Sequence, residues 1–158
     1  MAGRITKSAE QLKPDPRYGD KTLARFINCI MKDGKKSVAL RVVYAAMDEI
    51  EKRTGGEPTG IEIFHRALEN VRPDVEVRSK RVGGANYQVP MQVNKKRQQS
   101  LAFRWIINAA RSEKGRPMHL RLSRELLDAA QNEGKAVQTR DQTHRMADAN
   151  KAFAHFAW

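Results

Sequence analysis

The chain has 158 residues, enough for one compact domain, and its 30 Lys and Arg against 18 Asp and Glu give a formal charge of +12. A pI near 10.2 is typical of nucleic-acid-binding proteins, because phosphates neutralise the self-repulsion of such a charge. No run approaches the roughly 18 apolar residues of a membrane span, and the polar opening lacks the apolar core of a secretory signal, so the chain is expected to stay where it is made.

The N-terminal part predicts an arm followed by a helix. Residues 1–19 include two prolines and no apolar periodicity, so they are expected to be extended. A first helix is predicted from its N-cap Asp20 until Gly34 stops it, with apolar positions at Leu23, Phe26, Ile27, Ile30 and Met31. Cys29 lies in this helix and is interpreted as a small packed thiol. As the only cysteine it forms no internal disulfide and no cysteine-rich zinc site.

Two further helices follow before the apolar period changes. Residues 35–53 predict a long second helix that ends at the Gly- and Pro-containing segment 54–58. Its inward positions are Val38, Val42 or Val43, Ala46, Met47 and Ile50. A shorter third helix places Ile61, Phe64, Ala67, Leu68 and Val71 on one face. It ends before Pro73, which cannot continue a helical ladder.

Residues 74–93 alternate between apolar and polar side chains instead. The apolar members of this alternation are Val75, Val77, Tyr87, Val89, Met91 and Val93. Gly83 and Gly84 lie between the two runs and permit positive φ, so the pattern predicts an antiparallel hairpin with a basic tip at residues 78–81. A lone hairpin is only marginally stable. It must lean on the helices or gain order from a partner.

Three helices are predicted after the hairpin. Residues 101–110 are apolar nearly all the way round, which indicates a helix at the centre of a bundle. Residues 115–117 close it and open a fifth helix, with Met118, Leu122, Leu126 and Ala129 facing inward. A sixth helix is predicted from about Ala136 to the end of the chain, half solvated and available for binding. The expected organisation is an arm over 1–19 and a single helical domain over 20–158 that includes the hairpin.

Positive charge is concentrated on the hairpin and at the start of the fourth helix. The cations there are Arg72, Arg78, Lys80, Arg81, Lys95, Lys96 and Arg97, opposed by only Asp74 and Glu76. A solvated charged surface is the alternative, but concentration on one projecting element favours phosphate binding. Lys35 and Lys36 add two cations at the start of the second helix, where unpaired amides also attract phosphate.

Residue types that carry catalysis show no arrangement that indicates an enzyme. The four histidines lack ligand spacing, no two carboxylates form an acid–base pair, and there is no glycine-rich phosphate loop or serine elbow. We therefore expect no catalytic residue, no metal and no cofactor. Tyr87 fits packing on the helices slightly better than base stacking. His144, beside Arg145, leaves RNA contact and a surface role without function equally open.

Several short segments together resemble one family. They are Asp15–Gly19, Phe26–Asn28, Asp33–Ser37, Ala67–Asn70, Arg81–Pro90, Arg104–Trp105, Thr143–Ala147 and Asn150–His155. From about Pro14 to Trp158 the chain is similar to small ribosomal subunit protein seven of the bacterial and organellar type. The resemblance implies a mainly α fold, a six-helix bundle with a protruding two-stranded β-hairpin between helices three and four. This agrees with the periodicity.

The resemblance also implies partners and site residues. Members of the family bind the three-prime major domain of small-subunit ribosomal RNA, help organise assembly of the subunit head, and lie near exit-site tRNA, the mRNA channel and neighbouring ribosomal proteins. With the charge pattern, the residues expected to bind ribosomal RNA are Arg4, Lys7, Lys35, Lys36, Arg72, Arg78, Lys80, Arg81, Lys95, Lys96, Arg97 and Arg111. Those expected near tRNA and mRNA are Arg81, Val82, Gly83, Gly84, Tyr87, His144 and Arg145.

The same resemblance also implies where the chain is located and what role it has. The chain is expected in the ribosome, in the cytoplasm or, for an organellar version, in the matrix or stroma, with no membrane partner. The N-terminal arm is less basic than is usual in the family, because Glu10 opposes Arg4, Lys7 and Lys13. The alternative to a ribosomal component is a free RNA-binding translational regulator. The two differ in whether the chain travels with the small subunit.

Overall fold

The computed structural model describes residues 8–157, and within them the fold is mainly helical, as predicted. The elements are α1 (Ser8–Gln11), α2 (Lys21–Ile30), α3 (Lys36–Thr54), α4 (Gly60–Val71), β1 (Val75–Val82), β2 (Ala85–Gln92), α5 (Lys95–Ser112), α6 (Met118–Ala130), α7 (Gly134–Ala149) and a 3₁₀ helix (Lys151–Phe156). The six longer helices, α2–α7, correspond to the six predicted. The hairpin lies between the third and fourth of these, which confirms its predicted place.

Side-chain caps fix where three of the helices begin. The carboxylate of Asp20 accepts a hydrogen bond from the amide of Leu23 at 2.7 Å, which confirms the predicted N-cap of α2. Asn94 caps α5 in the same way, through the amide of Arg97 at 2.9 Å. Thr59 and Glu62 form a reciprocal capping box at the start of α4. Because these caps satisfy amides that the helix leaves unpaired, they set the register of each buried face.

The core lies between α2, α3, α4, α5, α6 and the start of α7. Phe26 packs edge-to-face against Phe64 at 5.2 Å and against Phe103 at 5.3 Å between ring centroids, and all three rings are buried. The apolar stretch of α5 confirms its predicted central position, since this helix contacts α2, α4, α6 and α7. The sequence left open whether Val42 or Val43 of α3 faces the core. The structure shows that Val43 is buried and that Val42 is half-buried.

The hairpin is a regular antiparallel pair with a two-residue turn. Val82 pairs with Ala85 across Gly83 and Gly84, which have φ of 58° and 87°. Positive φ at both turn positions matches the turn that suits the twist of paired strands and explains the two glycines. The hairpin does not stand alone, because β1 packs on α7 and β2 packs on the 3₁₀ helix. It therefore gains stability from both C-terminal elements.

Four expectations about individual segments were wrong. Cys29 is exposed, because position 29 lies about 110° round α2 from the middle of its buried stripe. Val38 is 47% exposed, because it lines an open cavity at the end of α2 instead of entering the core.

The other two concern the ends of the chain. The arm contains one helical turn, α1, since missing periodicity excludes a long helix but not a single turn. The last helix stops at Ala149, where the side-chain amide of Asn150 donates to the carbonyl of Met146 and the chain tightens into the 3₁₀ helix.

Candidate nucleic-acid interface

Three adjoining cavities form a basic surface around the outer side of α2. Their volumes are about 390, 570 and 340 Å³. The second and third share Leu12 and Asn28 as lining residues, and the first and second are joined by the consecutive residues Lys35 and Lys36. We call this surface the basic face, defined by its cations Lys13, Arg25, Lys32, Lys35, Lys36, Lys96, Arg111 and Arg121.

Two aspartates also line the basic face, but one of them is taken up by internal hydrogen bonds. Asp15 is 2% exposed and accepts from the amides of Arg17 and Tyr18, each at 3.0 Å, and from the hydroxyl of Tyr44 at 2.6 Å. Burial and this hydrogen bond raise the pKa of Tyr44 to about 12. Among the lining residues that the structure describes, Asp33 is the one exposed carboxylate, so the surface has a strong positive excess.

The arginines of the basic face are held in place by hydrogen bonds, two of them to backbone carbonyls and one to a side chain. Arg111 donates to the carbonyl of Ile30 at 3.0 Å, and Arg121 donates to the carbonyls of Glu113 and Arg111. Arg25 donates to the side chain of Gln99 at 3.1 Å, which joins α2 to α5. Lys32, Lys35, Lys36 and Lys96 are exposed. The face thus combines guanidinium groups that are fixed by hydrogen bonds with exposed ammonium groups, and both attract phosphate.

A second group of cations surrounds Glu76 at the base of the hairpin. Arg78 binds one carboxylate oxygen of Glu76 at 2.7 and 2.9 Å, and Arg97 binds the other at 3.1 and 3.2 Å. Burial would raise the pKa of Glu76, but the hydrogen bonds from both arginines outweigh it and hold the pKa below its ordinary value. Each guanidinium keeps further N–H donors for an external acceptor.

The remaining hairpin residues lie along its length and at its turn. Lys80 donates to the carbonyl of Phe156 at 2.8 Å, so this cation also anchors the C-terminal segment. Arg81, Gly83 and Gly84 are exposed and Val82 is half-buried. The prediction of a basic tip over residues 78–81 was therefore wrong in part, because Arg78 is bound to Glu76 at the base and only Arg81 is an exposed cation close to the turn.

The aromatic and histidine predictions have mixed outcomes. The ring of Tyr87 packs against the rings of Phe153 and Phe156, at centroid distances of 5.1 and 5.2 Å. This confirms that Tyr87 packs within the protein, although it packs on the 3₁₀ helix. The ring nitrogen Nε2 of His144 accepts from the amide of Asp74 at 3.2 Å, so this histidine joins α7 to the start of the hairpin. Its neighbour Arg145 is exposed.

The structure divides the predicted ribosomal-RNA residues between two surfaces. Lys35, Lys36, Lys96 and Arg111 belong to the basic face. Arg72, Arg78, Lys80, Arg81, Lys95 and Arg97 belong to the hairpin and its base. The two surfaces meet where Lys95 and Lys96 begin α5. Arg4 and Lys7 lie outside the described residues.

Arg25, Lys32 and Arg121 belong to the basic face but were not predicted, and Lys13 was expected there only as part of the N-terminal arm. Polar residues recur at helical spacing along α2 and just beyond it. Four, seven and eleven positions after Lys21 come Arg25, Asn28 and Lys32. Such spacing puts them on one solvent-facing stripe, and this signal was available from the sequence. Arg121 had no such signal, because its place depends on how α6 packs against the end of α5.

Other kinds of site find no support within residues 8–157. No three His, Cys, Asp or Glu side chains there are grouped so that they could hold a metal ion. No helix of that range is both long and apolar enough to cross a membrane. The exposed thiol of Cys29 is partly desolvated, which raises its pKa and keeps it in the less reactive thiol form.

A helical domain with a basic face and a basic hairpin is the arrangement expected of a nucleic-acid-binding protein. The chain matches the family model of ribosomal protein S7p/S5e over residues 2–151. It is similar to small ribosomal subunit protein uS7 of Rhodopirellula baltica, 64% identical over 156 residues and 99% of both chains. The same protein of Sphingopyxis alaskensis is 53% identical, and that of Methylobacterium radiotolerans 54%, each over the full length of both chains.

The chain therefore belongs to the ribosomal protein S7p/S5e family, and the resemblance noted from its motifs is confirmed. Its class follows directly: it is a ribosomal protein of the small subunit, a structural RNA-binding protein rather than an enzyme.

Proposed function

We propose that the chain binds the three-prime major domain of small-subunit ribosomal RNA through the basic face and so organises assembly of the subunit head. The observation that carries this is the set of three adjoining cavities whose eight cations face one exposed aspartate, Asp33. A concave surface with this excess fits the ridged backbone of folded RNA.

The contributions of the two cation types differ. Lysines such as Lys36 and Lys96 neutralise phosphates as point charges on flexible stems and release counterions. Arginines such as Arg111, already fixed on a carbonyl, offer their remaining donors at a set position. Because no base edge is needed for these contacts, the shape of the RNA supplies most of the specificity. The protein acts by holding RNA segments together.

The hairpin is proposed to extend from this RNA toward exit-site tRNA and mRNA. Its support is the exposure of Arg81, Gly83 and Gly84 at the tip, with Arg145 exposed on α7. A turn without side chains permits close approach of a nucleic-acid backbone. Neighbouring ribosomal proteins complete the set of proposed partners. The bacterial relatives favour the cytoplasmic ribosome as the location.

The test compares charge-reversal variants of matched size. Lys36→Glu with Lys96→Glu removes two cations of the basic face, and Lys52→Glu with Arg66→Glu removes two exposed cations outside it. Binding is measured to fragments of the three-prime major and five-prime domains. We expect the first pair to weaken binding to the three-prime fragment by at least tenfold and the second pair by under threefold. Equal loss in both pairs, or equal affinity of wild type for both fragments, contradicts the proposal.

A further inference from the structure

A polar cavity of about 720 Å³ lies at the base of the hairpin, between the end of α4, the start of α5 and α7. Its walls carry the cations Arg72, Lys95 and Arg140 and the carboxylates Glu69, Asp74 and Asp141. Gln98 and His144 complete the lining. The volume lies in the range of about 300–1,000 Å³ that is usual for sites that hold a small molecule or a single group.

The balance of charge separates this cavity from the basic face. Three cations against three carboxylates leave no net charge, so a bare run of phosphates gains little here. Mixed donors and acceptors suit a group that itself carries both. An unpaired nucleotide is such a group, because its phosphate accepts hydrogen bonds and the edge of its base both donates and accepts.

Some of the lining groups are committed to one another. Arg72 pairs with Glu69, and Arg140 binds one oxygen of Asp141 at 2.6 and 2.9 Å while also reaching the carbonyl of Asn70. These contacts hold the walls in place. They leave the second carboxylate oxygen of Asp141 without a hydrogen bond from any residue in the described part of the chain.

Other groups in the cavity remain available for a ligand. Within residues 8–157 the ammonium of Lys95, the side-chain amide of Gln98 and the carboxylate of Asp74 have no hydrogen-bond partner. The Nε of Arg72 also lacks a hydrogen-bond partner in that part of the chain, but it is buried and out of reach of a ligand. The cavity thus has open donors beside open carboxylates.

We propose that this cavity binds one unpaired guanosine nucleotide of the RNA. Guanine is the base whose pairing edge carries two adjacent donors, a ring N–H and an amino group, which a carboxylate of Asp74 or Asp141 accepts together. Adenine places an acceptor at the same ring position and is repelled. Lys95, the first residue of α5, takes the phosphate with the help of the helix amides. This inference rests on the proposed function, because the basic face brings the RNA to the cavity.

The experiment exploits two opposite expectations for the same variant. Asp74→Asn with Asp141→Asn removes two negative charges. If the RNA is bound only by electrostatic attraction, it binds this variant more tightly than the wild type. If the carboxylates accept from a base, the variant instead loses affinity. The probes are four RNA stem-loops that differ only in one unpaired nucleotide, G, A, C or U. Binding to the full chain is followed by fluorescence anisotropy at a fixed salt concentration.

The wild type is expected to bind the G stem-loop roughly tenfold more tightly than the other three, and the variant to lose this preference. Glu57→Gln with Asp148→Asn is the matched control, since both residues are exposed, outside the cavity, and lose the same charge. Equal wild-type affinity for all four probes, or tighter binding of all four by the variant, overturns the inference. Loss of binding in the Lys36→Glu, Lys96→Glu variant tests the proposed function separately.

Discussion

Glu76 of β1 and Arg97 of α5 are joined by two hydrogen bonds from one guanidinium to one carboxylate oxygen, at 3.2 and 3.1 Å. The same carboxylate holds Arg78 through its other oxygen. Glu76 is therefore the point at which the hairpin is tied to the start of α5. An acidic residue that would weaken phosphate binding if exposed instead orients two cations.

Replacement of Glu76 by Gln should destabilise the fold by about 1–3 kcal/mol at pH 7, because charge-assisted hydrogen bonds to two arginines are weakened. The folded state lowers the pKa of Glu76, so its contribution is complete above the ordinary value of 4.5 and is lost as pH falls through the lower folded value. Urea unfolding of both proteins between pH 3 and 7 checks this. A stability difference that stays constant over that range would exclude the ion pairs as its cause.

The hairpin should contribute to the salt dependence of RNA binding. Lys80→Glu with Arg81→Glu removes two cations from β1, so the slope of log affinity against log salt should become shallower by about one to two units. Affinity is measured at several salt concentrations for wild type and variant. Since Lys80 also anchors Phe156, Arg81→Glu alone is the control that leaves this contact intact. An unchanged slope in both variants would mean that the hairpin does not contact phosphates.

The contact of Tyr87 with the 3₁₀ helix should hold the hairpin against the body of the protein. Tyr87→Ala removes ring contacts with Phe153 and Phe156, each worth about 0.5–1.5 kcal/mol. Amide hydrogen exchange in β2 should then accelerate about tenfold, with little change in α5. Tyr87→Phe keeps the ring and should exchange like wild type. If Tyr87→Ala leaves exchange in β2 unchanged, other contacts hold the hairpin.

The stability of the wild type relative to Glu125→Gln should be highest in mild acid and should fall as the pH rises toward neutral. Burial raises the pKa of this carboxyl, although the amide of Ala136 donates to it at 2.8 Å. An acid with a raised folded pKa contributes most below its ordinary value and loses stability as pH rises through the folded value. The wild type should therefore lose stability relative to Glu125→Gln between pH 4.5 and 7.

The Ala variant separates charge from hydrogen bonding at this position. Glu125→Ala leaves the amide of Ala136 without its acceptor and should cost about 1–3 kcal/mol at every pH in that range. Urea unfolding serves for both variants. Parallel pH profiles for wild type and Glu125→Gln would show that Glu125 titrates as it does in the unfolded chain.

The helices were predictable because their signals are local. A 3.6-residue apolar period, with caps such as Asp20, depends on residues a few positions apart, and α2 to α6 begin and end near the predicted places. The paired glycines at 83 and 84 are equally local. Burial at the edges of elements was harder to predict, because it depends on which distant element packs there. Cys29 and Val38 show this limit.

The candidate site was predictable in composition but not in arrangement. Lys95 and Lys96 look alike in the sequence, yet one lines the polar cavity and the other the basic face, because consecutive helix residues point about 100° apart. Glu76 was counted as an opposing charge, and only the fold reveals its two arginine partners. The alternation of β1 predicted a strand, but its most buried residue is Glu76 rather than a valine.

Lysine acetylation of the chain, free and within assembled small subunits, tests the central claim most directly. Reactivity is measured by mass spectrometry at Lys13, Lys32, Lys35, Lys36 and Lys96 of the basic face, with the exposed Lys52 and Lys114 as references. If the basic face binds ribosomal RNA, its lysines should become several-fold less reactive in the subunit, and more so than the references. Basic-face lysines that react in the subunit as readily as in the free protein would contradict it.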